Sequence, residues 1–200
     1  MSRPEGRPAL FLDRDGVLNE LVFYADSNEW ESPRTLADLR IRPQVAPALR
    51  TLAAAGWPLF LVSNQPSFAK GKTSLEALRA VHDALQQQLL RDGVTLAGVY
   101  YCYHHPQGRV PGYSGPCACR KPSPFFLNQA ASSFGLDLKA SWMVGDQDLD
   151  LICARNAGCR SLLIPCEASA GKRGTVEPDA CITDLSLLPG VVLSSSFHYL

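Results

Sequence analysis

The chain has 200 residues, 46% apolar and 19% charged, and its 19 basic and 19 acidic side chains cancel. That is enough chain to bury a real core, and residues 1–200 read as a single domain with one inserted loop, 102–119. Balanced charge offers no basic surface for nucleic acid, no apolar stretch is long enough to span a membrane, and the opening M-S-R-P-E-G-R-P lacks the apolar core of a secretion signal. The expectation is a cytoplasmic monomer with neither nucleic acid nor membrane as partner. Seven cysteines, an odd count without a secretion signal, argue against a disulfide framework.

Ala9-Leu10-Phe11-Leu12 is a short apolar run that ends in Asp13, Asp15 and Gly16. It predicts a buried strand of a parallel sheet with two carboxylates at its C-terminal end. Residues 19–42 are polar and without a period, the mark of a functional connection or a flap. Val45, Leu49, Leu52 and Ala53 repeat at helical spacing between Pro43 and Gly56. Pro58–Val62 is the second strand, ending in Ser63-Asn64-Gln65, whose side chains can donate hydrogen bonds to an anion. A loop with Lys70 and Lys72 precedes a helix capped by Thr73 or Ser74, with Leu75, Leu78, Val81, Leu85 and Leu89 along one face.

Gly98–Tyr101 is the third strand and runs into Cys102-Tyr103-His104-His105-Pro106, a Gly/Pro-rich loop, and Cys117-Ala118-Cys119-Arg120-Lys121-Pro122. A helix over 123–134 stops at Gly135. Ser141–Val144 is the fourth strand and ends in Gly145-Asp146-Gln147-Asp148-Leu149-Asp150, followed by a short helix to Gly158. Arg160–Ile164 and Ala180–Ile182 are further strands, and 185–193 a final helix. The serine run 194–196 reads as frayed. Cys153, Cys159, Cys166 and Cys181, scattered among apolar residues, read as small buried hydrophobes.

Strands alternate with helices, so the expected fold is α/β: a Rossmann-like, doubly wound parallel sheet with no large cap domain. Polar residues then follow four strands along one edge of that sheet, where α/β folds bind ligands. Paired acids, a hydroxyl, a lysine and a distant acid suit phosphoryl transfer. Asp13 would be the nucleophile that forms an aspartyl-phosphate, and Asp15 the general acid and base. Mg²⁺ would be held by the carboxylates of Asp13 and Asp146 and the backbone carbonyl of Asp15, with Ser63, Asn64 and Lys121 completing the shell.

D-R-D-G-V-L-N, V-S-N-Q, C-R-K-P and M-V-G-D-x-x-x-D, in that order, resemble the four motifs of the haloacid dehalogenase (HAD)-like phosphatases. With Y-Y-C-Y-H-H-P-Q-G and C-A-C-R-K-P between them, the chain is most similar to the D-glycero-D-manno-heptose 1,7-bisphosphate 7-phosphatases and the related histidinol-phosphate phosphatases. The resemblance implies Asp13 as nucleophile, Asp15 as acid/base, Ser63 and Asn64 on phosphate, Arg120 and Lys121 on substrate and phosphate, and Asp146 on Mg²⁺. It gives Asp150 a supporting part; the alternative is an acid at a helix N-terminus.

C-x-H followed by C-x-C supplies three thiolates and an imidazole, the ligand count of a closed structural Zn²⁺ site. Cys102, His104, Cys117 and Cys119 are the natural quartet, as the resemblance also implies, with His105 the competing ligand and unliganded loop cysteines the alternative. Two positions depart from the family pattern. Gln147 stands where heptose bisphosphate phosphatases often carry a cation, and the loop 65–70 differs, leaving Lys70 and Lys72 either as substitutes or as solvated lysines. The expected substrate is a small phosphorylated sugar, the 7-phosphate of heptose 1,7-bisphosphate first and histidinol phosphate second. A phosphotransferase and a non-catalytic zinc-containing binding module are the other readings.

Overall fold

The computed structural model describes residues 6–194. In chain order its strands are β1 (Leu10–Leu12), β2 (Val22–Tyr24), β3 (Glu29–Glu31), β4 (Leu59–Asn64), β5 (Gly98–Cys102), β6 (Trp142–Gly145), β7 (Arg160–Leu163) and β8 (Ala180–Cys181). Its α-helices are α1 (Val45–Ala54), α2 (Leu75–Arg91), α3 (Phe125–Phe134), α4 (Asp148–Ala157) and α5 (Leu188–Ser194). Six strands pair in parallel in the order β5-β4-β1-β6-β7-β8.

β1 lies inside the sheet, pairing Leu10 with both Leu59 and Trp142, and its three residues are fully buried. That is why it reads as an unbroken apolar run rather than an alternating one. Successive side chains still point to opposite faces. Leu10 and Leu12 pack with Leu59, Leu61 and Val144 under α1, α2 and α5, through Leu49, Leu52, Leu85, Leu89 and Leu188. Phe11 points the other way and packs with Phe60, Val62 and Met143 under α3 and α4, through Leu127, Ala130, Cys153 and Ala154. The sheet is thus covered on both sides, as the alternation of elements predicts.

Helix ends follow their local chemistry. The Ser74 hydroxyl accepts from Ala77 N at 3.0 Å and caps α2. α3 and α4 stop at Gly135 and Gly158, both in the left-handed conformation, φ 64° and 71°, that favours glycine. Gly145 ends β6 against the side chain of Asp150 in α4, where an added Cβ would lie 2.1 Å from the Cβ of Asp150. Only glycine lets Asp150 come that close to the strand end.

The structure differs from expectation in three places. Residues 19–42 contain an antiparallel hairpin, β2 paired with β3. The last helix begins as one 3₁₀ turn, Leu185–Leu187, before α5. Cys153 and Cys159 are buried as expected, but Cys166 is half-buried and Cys181 exposed, because the pleat of the edge strand β8 turns Cys181 outward. Ser195 and Ser196 of the serine run lie outside the described residues. No helix among the described residues is long and apolar enough to cross a membrane.

Candidate active site

The C-terminal ends of β1, β4 and β6, with the segment after the 102–119 loop, bring four charged side chains together. Lys121 is buried, and its ammonium donates to Asp13 Oδ1 at 2.7 Å, to Asp150 Oδ1 at 2.6 Å and to the Val62 carbonyl at 2.9 Å. Carboxylate oxygens of Asp13, Asp146 and Asp150 lie within 4.8 Å of one another. Burial pushes Asp13 up to about 6; Lys121 opposes that rise, while Asp150 and Asp15 add to it. Asp146 is fully buried, and burial followed by the charges of Asp150 and Asp13 pushes it up to about 8. Neither Asp146 carboxylate oxygen has a hydrogen-bond donor among the described residues. A buried carboxylate beside two others and without a donor is stable only if it is protonated or shares a cation. Hard oxygen donors in this arrangement fit a divalent cation such as Mg²⁺.

Asp15 lies apart from this cluster. Its Oδ1 accepts from Arg14 Nε and Asn19 Nδ2, each at 3.0 Å, and its Oδ2 from Gln65 Nε2 at 2.6 Å. Arg14 is almost wholly buried, and its Nη2 also donates to Gln65 Oε1 at 2.6 Å, so it fixes both Asp15 and the amide that holds Asp15. Ser63 is buried and accepts from Gln65 Nε2 at 3.1 Å. The Asn64 side chain clasps the Lys121 backbone, donating to its carbonyl at 3.1 Å and accepting from its N–H at 3.0 Å. Asp150 combines both expected parts: Oδ1 takes Lys121, and Oδ2 accepts from Gln147 N at 3.2 Å at the start of α4.

The inserted loop gathers Cys102, His104, Cys117 and Cys119. Sulfur–sulfur separations are 3.2, 3.6 and 3.8 Å, and His104 Nδ1 lies 3.9 Å from Cys102 Sγ and 3.7 Å from Cys119 Sγ. These are too long for disulfides. Ligands about 2.3 Å from a tetrahedral zinc lie about 3.8 Å from one another, so four atoms this close together could hold such an ion. His105 is not part of it; its Nδ1 accepts from Gln107 N at 3.1 Å. The cluster abuts the charge centre: the Cys102 carbonyl receives Gln65 N at 2.7 Å, and the His104 carbonyl receives Arg120 Nη1 at 3.2 Å.

A cleft of about 370 Å³ opens over these groups, lined by Asp13, Asp15, Asn64, Arg120, Lys121 and Asp150 from the sheet edge. Ser63 is not in the lining. The lining also includes Glu29, Trp30 and Glu31 of the hairpin, within the segment read as a functional connection or flap, Lys70 and Gln147, both singled out in the sequence, and Ala168 and Lys172, which were not foreseen, from a 3₁₀ turn after β7. Charges hold the hairpin. Arg34 pairs with Asp26 at 2.7 Å and Glu31 at 3.0 Å and lies over the Tyr24 ring, 3.8 Å from its centroid. Lys72 pairs with Glu31 and lies 3.7 Å from Glu29. Lys172 donates to the Trp30 carbonyl at 3.4 Å and links the two parts of the rim.

The raised carboxylates give a pH signature. With Asp13 at about 6 and Asp146 at about 8, the folded chain binds more protons than the unfolded chain between about pH 4 and pH 8. Stability without divalent cation therefore falls as pH rises through that window. Thermal unfolding in Mg²⁺-free buffer should give a Tm that drops from pH 5 to pH 8, with added Mg²⁺ raising it most at pH 8. A Tm independent of pH, or a larger Mg²⁺ effect at pH 5, contradicts the assignment.

Comparison with known proteins agrees with this geometry. A family model described as HAD-hydrolase-like matches residues 118–188. The chain is 43% identical over 162 residues, 79% of each chain, to a D-glycero-D-manno-heptose-1,7-bisphosphate 7-phosphatase of Thermosynechococcus vestitus. Among solved structures it is similar to a HAD-like phosphatase from Mesorhizobium loti, with TM-score 0.78, 32% identity, and 96% of this chain and 87% of that one covered. It is also similar to D,D-heptose 1,7-bisphosphate phosphatase from B. bronchiseptica complexed with magnesium and phosphate, with TM-score 0.77, 28% identity, and 94% and 98% covered. The chain therefore belongs to the HAD-like phosphatases, which are phosphoric monoester hydrolases, in the family of the heptose-1,7-bisphosphate 7-phosphatases.

Proposed function

We propose that the protein hydrolyses the 7-phosphate of a heptose 1,7-bisphosphate through an aspartyl-phosphate on Asp13. The observation that carries this is the buried group of Asp13, Asp146, Asp150 and Lys121 beneath a cleft of about 370 Å³, a volume suited to a small sugar phosphate. Lys121 takes Asp13 Oδ1, leaving Oδ2 to attack phosphorus. The leaving sugar oxygen takes a proton from Asp15. Asp15 Oδ1 is saturated by Arg14 and Asn19, so the proton is exchanged at Oδ2, against the Gln65 amide. Asp15 then takes a proton from water, which attacks phosphorus and frees phosphate and the Asp13 carboxylate.

Asp13 and Asp146, with the Asp15 carbonyl, would hold Mg²⁺, and Asp150 lies close enough to support them. When bound, Mg²⁺ supplies positive charge for the phosphoryl oxygens. Because Gln65 fills a lone pair of Ser63, the Ser63 hydroxyl keeps its proton free to donate to phosphate. Asn64 would act chiefly by setting Lys121. Zn²⁺ on Cys102, His104, Cys117 and Cys119 would have no open position, so its part is structural: it pins the loop that carries Arg120 and Lys121.

Phosphate release with Mg²⁺ from heptose 1,7-bisphosphate and from histidinol phosphate tests the substrate, with Asp13→Asn alongside. A strong kcat/KM preference for the heptose, abolished in the variant, is expected; equal weak rates on both esters would reject the heptose assignment. Removing zinc with a chelator and restoring Mg²⁺ should raise KM severalfold. Unchanged kinetics after complete zinc loss would remove the loop from the account.

A further inference from the structure

The charges lining the cleft do not balance, and their imbalance is local. Lys121 is matched by Asp13 and Asp150, Asp15 by Arg14, and the two hairpin carboxylates of the lining, Glu29 and Glu31, by Lys72 and Arg34. Lys72 is therefore spent on the hairpin. Two further lysines of the lining, Lys70 and Lys172, have no carboxylate within ion-pair distance among the described residues. Lys172 reaches only the Trp30 carbonyl, a neutral acceptor that fixes the amine at the rim and leaves its charge uncancelled. Arg120, also in the lining, is shared with the cysteine cluster, whose thiolates would offset it. Gln147 adds no charge.

Lys70 and Lys172 come from different segments, the loop after β4 and the 3₁₀ turn after β7, yet open onto the same cleft. Both lie outside the buried group that would hold the reacting phosphate. A cleft lined by two cations without ion-pair partners is complementary to an anion on the same ligand. We propose that Lys70 and Lys172 bind the second, non-reacting phosphate of a bisphosphorylated sugar, supplying the positive charge that position 147 lacks. The inference rests on the phosphatase reading above and extends it to the part of the substrate that is not hydrolysed.

The test compares heptose 1,7-bisphosphate with heptose 7-phosphate on the full chain with Mg²⁺, as wild type, Lys70→Gln, Lys172→Gln, the double variant and Lys70→Arg. A charge-assisted contact of this kind corresponds to about tenfold in affinity. Each glutamine should raise KM for the bisphosphate about tenfold and leave kcat within about twofold. KM for the monophosphate should hardly move, and Lys70→Arg should keep most of the bisphosphate preference. Equal losses on the two esters, or none on either, overturn the proposal and leave the phosphatase reading standing. A wild-type protein that releases phosphate from neither ester overturns both.

Discussion

The site depends on one buried ammonium. Lys121 sits between Asp13 and Asp150, 108 and 29 residues away in the chain, in a place nearly closed to water. Removing one partner of such a pair leaves a buried charge uncompensated, at a cost of about 3–5 kcal/mol. Much of the surrounding structure serves to hold that amine in place. Asn64 clasps its backbone, Val62 offers a carbonyl, and the cysteine and histidine cluster lies in the loop that leads into it. One ammonium cannot neutralise three carboxylates. Burial first, and this excess after it, raise the affinity of Asp13 and Asp146 for protons, and the excess makes the group fit a divalent cation.

Around that centre the fold separates two tasks. The parallel sheet supplies the reacting groups from strand ends that cannot move without disturbing the core on both faces. The hairpin and the turn after β7 supply the rest of the lining, held by ion pairs and hydrogen bonds more than by apolar packing. Trp30 is 45% exposed and meets Phe23 edge-on, so little apolar packing fastens this part of the wall. Such elements open locally more easily than a core does. The sheet edge is thus the firmer part of the cleft, and the hairpin and turn the looser one.

The central strands and the acids after them were legible because a strand buried on both faces reads as an unbroken apolar run, and Gly16 and Gly145 mark its end. The cysteine cluster was legible from spacing, and the structure gathers His104, not His105, with the three cysteines. The hairpin was not legible: its strands are three residues long, and Glu29-Trp30-Glu31 carries no apolar face. Arg14, between two acids in a motif, showed nothing of its part in fixing Asp15 and Gln65. Lys172, in the basic stretch Gly171-Lys172-Arg173-Gly174, carries no sign of the 3₁₀ turn that brings it to the cleft. Cys181 misled because its apolar neighbours, Ala180 and Ile182, hide that it points outward from an edge strand.

The most direct test of the account is whether phosphate passes through Asp13. Acid quenching of the enzyme during turnover of heptose 1,7-bisphosphate, followed by peptide mass spectrometry, should find a base-labile acyl phosphate on the peptide that carries Asp13. The same adduct should accumulate in an Asp15→Asn variant, which lacks the base for its hydrolysis. Turnover with no adduct on Asp13 in either protein, or with an adduct on another residue, would contradict it.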